Sequence, residues 1–168
     1  MVLSPDQVAE AQAEFDRLIG LPLVDFSGYM SVRCFDFGQP ILSTNRKGEE
    51  LLKPEWNLRL ICNWRIEWGN GLSVSRDLFE PESPKNDPLV EQFYAEVDGH
   101  SHRLLSVSVY PDASLHFQLT NGFDLIVHPS AEEVQNNDCW FLLPRDQKAR
   151  ALWLGKSELS WVGYYLPR

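Results

Sequence analysis

The chain is expected to be an α+β protein. Its expected architecture is a strongly twisted antiparallel sheet of five to seven strands, with an N-terminal helix and an inserted mid-chain helix, forming one domain over residues 1–168. Three observations predict this. A long run from Asn57 to Trp68 alternates apolar and polar residues, the period of a half-buried strand. Short Gly- and Asn-containing connections follow apolar alternations, which marks antiparallel hairpins. Two segments carry apolar residues at helical spacing between recognisable caps.

The first helix starts at Ser4 as N-cap, with Pro5 at N1 and Gln7 at N3, a capping box that satisfies backbone donors left without a helical partner. Val8, Ala11, Phe15, Leu18 and Ile19 form its apolar stripe, and Gly20 closes it. Leu21 to Phe37 reads as extended chain, and Thr44 to Pro54 as a charged loop. In the long strand, Leu58, Leu60, Cys62, Trp64, Ile66 and Trp68 share the apolar face. Gly69-Asn70-Gly71 then turns the chain. Matching the apolar faces pairs Trp68 with Leu72 and Ile66 with Val74, a three-residue loop with Gly71 left-handed. The same register sets Trp64 opposite Arg76 for a cation–π contact, and makes Arg65 and Asp77 diagonal ion-pair neighbours.

Asp77 to Pro88 reads as an acidic loop. Asp87-Pro88 caps a second helix, in which Leu89, Val90, Phe93, Tyr94 and Val97 are apolar and Gly99 terminates. A three-strand meander follows. Its last hairpin pairs Leu119 with Phe123, Phe117 with Leu125 and Leu115 with Val127 across Thr120-Asn121-Gly122. The tail holds apolar runs at 139–143, 151–154 and 161–166; the first and last read as strands without a defined place in the sheet.

Composition narrows the function. A chain of this length buries roughly 70% of its unfolded surface and needs no disulfide or metal to fold. Fifteen basic against 24 acidic residues leave a net charge of −9, which argues against nucleic acid or an anionic membrane as partner. Cys34, Cys62 and Cys139 are widely spaced and odd in number, the pattern of buried thiols in a reducing compartment. With no secretory leader pattern and no apolar run longer than 139–143, a cytoplasmic protein is expected.

No residue pattern names a reaction. Asp98, His100 and His102 would share a face if extended and could chelate a divalent ion, but no second cluster completes the set, and no metal or cofactor is expected. This cluster supports an alternative reading as a small metal- or ligand-binding enzyme. His116 on a polar strand face and His128 before Pro129 lack a nucleophile elbow, and Asp36-Phe37-Gly38 stands without any other kinase element. Trp64, Trp68 and Trp140 read as core rather than as a ligand pocket.

Charge distribution says more. Asp77, Glu80, Glu82, Asp87, Glu91, Glu96 and Asp98, against Lys85 alone, concentrate −6 of the net −9 in one loop and one helix. Residues 145–168 hold five basic and two acidic residues. The plain reading of the acidic stretch is a solvated face; the functional reading is a docking patch for a basic protein.

Several segments carry a resemblance: Ile19-Gly20-Leu21, Met30 with Phe35-x-Phe37-Gly38, Leu58-x-Leu60-x-Cys62-x-Trp64-Arg65-Ile66, Ser75-Arg76-Asp77-Leu78-Phe79-x-Pro81, and Thr120-Asn121-Gly122-Phe123-x-Leu125-x-Val127-x-Pro129. They resemble a poorly characterised family of small bacterial cytoplasmic proteins, over roughly residues 18–130, with Cys-x-Trp-Arg-Ile the most specific part. In size and acidity that family is similar to the immunity proteins of contact-dependent or secreted toxin systems. The resemblance implies a non-enzymatic inhibitor whose partner is a basic toxin domain, and brings no catalytic residue with it. A structural homodimer subunit is the remaining alternative.

Overall fold

A computed structural model describes residues 3–45, 47–80, 87–145, 150–156 and 158–163, with the Tyr29 side chain excepted. Helix α1 spans Pro5–Asp16, with the Ser4–Gln7 capping box formed in both directions. The chain then forms β1 (Pro22–Tyr29), β2 (Val32–Phe37), β3 (Ile41–Thr44), β4 (Glu50–Lys53), β5 (Trp56–Leu60), β6 (Trp64–Trp68) and β7 (Leu72–Ser75). After a 3₁₀ turn at Arg76–Phe79 come α2 (Pro88–Gly99), β8 (His102–Val109), β9 (Leu115–Leu119) and β10 (Phe123–Val127). The last elements are α3 (Ala131–Asn136), β11 (Asp138–Pro144), β12 (Ala151–Gly155) and β13 (Glu158–Val162).

The α+β class and the antiparallel pairing hold. The expected five to seven strands do not: among the described residues one sheet has 11, in the order β13-β12-β11-β5-β2-β1-β8-β9-β10-β6-β7. Three features account for the excess. The stretch expected as extended chain from Leu21 to Phe37 is a hairpin of two strands, β1 and β2. The tail supplies three strands, docked through β11 onto β5. The long alternating run is also two strands rather than one. Its burial alternates without a break from Trp56 to Trp68, yet its ladder partners change at residues 61–63. There the Ile61 and Cys62 amides both donate to the Cys139 carbonyl, at 2.9 and 3.3 Å, and the Asn63 carbonyl accepts from the His128 amide at 3.0 Å.

This break decides the overall shape. Six inter-strand steps separate β5 from β6 along the sheet. Laid flat, those steps would span about 29 Å. The chain from Leu60 to Trp64 can reach only about 14 Å. The sheet must therefore roll up so that its path from β5 through β2, β1, β8, β9 and β10 returns to β6.

Aromatic rings fill the rolled interior. Trp64 on β6 lies 5.9 Å from Phe26 on β1 and 5.7 Å from Phe35 on β2, centroid to centroid. Helix α1 inserts Phe15 against Phe117 and Trp140 at 5.6 and 5.4 Å. Helix α2 inserts Phe93 against Phe26, Trp68 and Phe123. Trp64, Trp68 and Trp140 are all buried, as core residues should be. Within the α1 stripe Ala11, Phe15 and Leu18 are buried, whereas Ile19 is exposed beyond the end of the helix.

Both predicted hairpin registers form. Trp68 pairs with Leu72 and Ile66 with Val74, with Gly71 at φ 86°. Leu119 pairs with Phe123, Phe117 with Leu125 and Leu115 with Val127. Beyond Ser75 the ladder ends, because Arg76 begins the 3₁₀ turn. Arg76 therefore reaches Glu80 and Glu133 instead of stacking on Trp64, and Arg65 pairs with Glu67 along its own strand. The expected charged loop, Thr44 to Pro54, in fact contains β4, which pairs with β3 just before it as a separate two-stranded sheet exposing Ile41, Leu42 and Leu52. Helix α3 was not anticipated, although Ser130 and Glu133 spell its capping box.

Candidate functional site

The acidic face is built on α2. Its N-cap, Asp87, accepts from the Leu89 amide at 2.9 Å, and Pro88 starts the helix. Phe93 and Val97 are four residues apart, so they share the face turned into the core. Glu91, Gln92, Ala95 and Asp98 fall on the exposed side.

The fold divides the seven predicted docking carboxylates by duty. Asp77, on the 3₁₀ turn, and Glu91 and Asp98, on α2, are exposed. Of the less exposed ones described, Glu80, Asp87 and Glu96 each bond within the protein. Glu80 pairs with Arg76 at 2.7 Å, and the same guanidinium reaches Glu133 at 3.0 Å, which ties the turn to α3. Asp87 is the helix cap. Glu96 is half-buried, with one carboxylate oxygen 3.3 Å from His102 Nε2 and the other 3.4 Å from His100 Nδ1. Glu82 lies outside the described residues.

Tyr94 adds an apolar element to this face. It is 40% exposed, yet its ring packs on Phe26, Phe79 and Phe93. Partial burial pushes its hydroxyl above the ordinary range. Three residues separate it from Glu91 and four from Asp98, so all three neighbour one another on the helix surface. A fixed aromatic ring with a polar tip amid carboxylates suits contact with a cationic protein surface.

Asp98, His100 and His102 do not converge as a chelate. The chain is not extended here: α2 continues through Gly99, so Asp98 stays on the helix while His102 opens β8. His102 is fully buried, with Nδ1 3.1 Å from the Thr120 carbonyl and Nε2 facing Glu96. Both ring nitrogens thus meet protein oxygens. Among the described residues, no group of three His, Cys, Asp or Glu side chains could hold a metal ion. His116, expected to be solvated, is half-buried and lies 3.4 Å from Asp124; His128 is exposed.

A concavity of about 250 Å³ lies where β1, β2, β5 and the end of β11 meet the β3/β4 hairpin. Cys34, Asp36, Lys53, Asn57, Arg59 and Arg145 contribute its polar lining. Strand pairing sets Cys34 beside Arg59 and Asp36 beside Asn57. The Asn57 amide donates to Asp36, and Arg59 Nε donates to Asn57 Oδ1 at 2.9 Å. Burial pushes the Asp36 carboxyl and the Cys34 thiol above their usual ranges. Cys34 is thus half-buried, unlike the fully buried Cys62 and Cys139. No sequence signal marked this site, because its residues come from separated stretches of chain.

The chain matches no family model, no curated protein and no solved structure.

Proposed function

We propose that this chain is a non-enzymatic acidic binding protein that docks a basic protein domain, in the manner of an immunity protein inhibiting a toxin. The observation that carries this reading is the exposed face on which Glu91, Tyr94 and Asp98 lie together, with Asp77 exposed on the turn before the helix. Carboxylates steer a cationic partner and raise its association rate, while a fixed aromatic supplies contact energy after water leaves. Beneath Tyr94, Phe26 and Phe93 belong to the core and Phe79 packs against it, so the ring is held in place before a partner arrives. Glu80, Asp87 and Glu96 belong to this face mainly as residues that build it.

The test offers the chain cationic domains encoded by genes that neighbour its own, with binding kinetics recorded at low and high salt; no binding to any of them would overturn the reading. The expected association rate falls with salt, and falls about tenfold at low salt when Asp77→Asn, Glu91→Gln and Asp98→Asn are combined. Tyr94→Ala should act mainly by speeding dissociation. Unchanged affinity and salt dependence in the triple variant would remove the acidic face from the mechanism.

A further inference from the structure

We propose that the groove beside the β3/β4 hairpin is a binding site for a small organic anion, one carrying a phosphate or carboxylate group on a short apolar body. Charge is the first argument. Over the whole chain acids outnumber bases 24 to 15. Among the described residues that line this groove the ratio reverses, with Lys53, Arg59 and Arg145 against one carboxylate, Asp36, which has Asp25 paired beside it on β1. A cationic concavity on an acidic protein runs against the average of its surface.

The second argument is that the cations are not neutralised, while Arg59 and Arg145 are partly held. Among the described residues, no carboxylate makes an ion pair with Lys53, Arg59 or Arg145. Arg59 spends only Nε on Asn57, and its two terminal nitrogens bond no described group. The Lys53 ammonium likewise bonds no described group, while the Lys53 carbonyl receives Arg145 Nη1 at 3.5 Å. Arg145 Nη1 also donates to the Gln39 carbonyl at 3.0 Å, and its amide donates to the Glu55 carbonyl at 2.8 Å. These bonds clamp the two ends of the hairpin segment to the end of β11. The Arg145 side chain and the Nε end of the Arg59 guanidinium are therefore positioned without an occupant, which lowers the ordering cost of binding one.

The third argument is shape and lining. The volume lies just below the roughly 300–1,000 Å³ of drug-sized pockets, so the occupant is small. Leu51, Pro54, Leu143 and Pro144 supply apolar wall beside the cations. Guanidinium groups recognise phosphate and carboxylate alike through paired N–H donors, and the wall accepts the attached carbon body. The site shares no residue with the acidic face on α2 and stands independently of the docking proposal.

Phenyl phosphate and benzoate serve as the two probes, titrated at constant ionic strength against sodium chloride and read by isothermal calorimetry and by Arg side-chain NMR signals. Saturable binding of at least one is expected, and the stronger probe identifies the head group. Arg59→Ala and Lys53→Ala should each weaken it about tenfold or more. Asp36→Asn should tighten it several-fold, because it removes the opposing carboxylate and keeps an oxygen for the Asn57 amide. Asp112→Asn, in the exposed β8–β9 turn, changes net charge equally and should leave affinity unchanged. Melting curves check that each variant is folded. Two results would overturn the proposal: neither probe saturating beyond the chloride control, or Asp112→Asn tightening binding as much as Asp36→Asn.

Discussion

The acidic face and the cationic groove are opposite in charge and in origin. The first comes from one stretch, residues 77–98, so its charge can be counted along the chain. The second is assembled by ladder pairing and by the return of the chain at residue 145, more than a hundred positions after Cys34. They also differ in how their charges are used. On the acidic side, Glu80, Asp87 and Glu96 are taken up by Arg76, by the Leu89 amide and by two histidines. In the groove, Lys53 and the terminal nitrogens of Arg59 have no such partners among the described residues. A charge count along the sequence thus overstates one surface and misses the other.

The strongest way to break this comparison is to remove what both regions share. Trp64 packs on Phe26 and Phe35, whose strands carry the groove, and on Phe79, in the turn that carries Asp77. Trp64→Ala is expected to cost about 3–5 kcal/mol in urea unfolding. A loss near 1 kcal/mol would mean that the two regions are supported separately. The next largest effect is the tenfold fall in association rate expected from the triple carboxylate variant, with little change in melting temperature. Groove variants such as Arg59→Ala should leave that rate nearly unchanged.

Within the acidic face, two single substitutions separate building from docking. Asp87→Ala removes the α2 cap and should cost about 1 kcal/mol of stability. Glu91→Gln should stay within about 0.5 kcal/mol, because the side chain is exposed. Equal losses in denaturant titrations would erase the distinction between tied and exposed carboxylates.

The smallest expected effect is pH-dependent and belongs to the groove. Burial raises the folded Asp36 carboxyl above its ordinary value of 3.8. The stability linked to its protonated form is complete below that ordinary value and is lost as pH rises through the folded one. Asp36→Asn, which stays neutral, should therefore melt slightly higher than the parent at about pH 7 and equal it at about pH 3. A variant less stable than the parent at neutral pH would show that the ionised carboxylate is favoured in the groove.

Local physics made much of this protein legible in advance. The Ser4 and Asp87 caps, the core-facing set from Leu58 to Trp68 and the two three-residue hairpins depend on residues close in sequence. Helix α3 was equally local, and the Ser130–Glu133 spacing could have revealed it. The Asp98, His100 and His102 set failed as a chelate for a local reason too: the helix runs one residue past Asp98, so the three side chains never form a single extended face.

What the sequence by itself determined was the identity of most elements, much of the apolar core and where negative charge concentrates. Only the tertiary structure decided how many strands share the sheet, that the alternating run splits at residues 61–63, and which charges meet. Those outcomes rest on hydrogen bonds and strand registers between distant segments, such as the Cys139 carbonyl receiving the Ile61 and Cys62 amides. A residue's own periodicity sets which way its side chain faces. It carries no information about which distant strand lies alongside, because backbone donors and acceptors are the same in every strand.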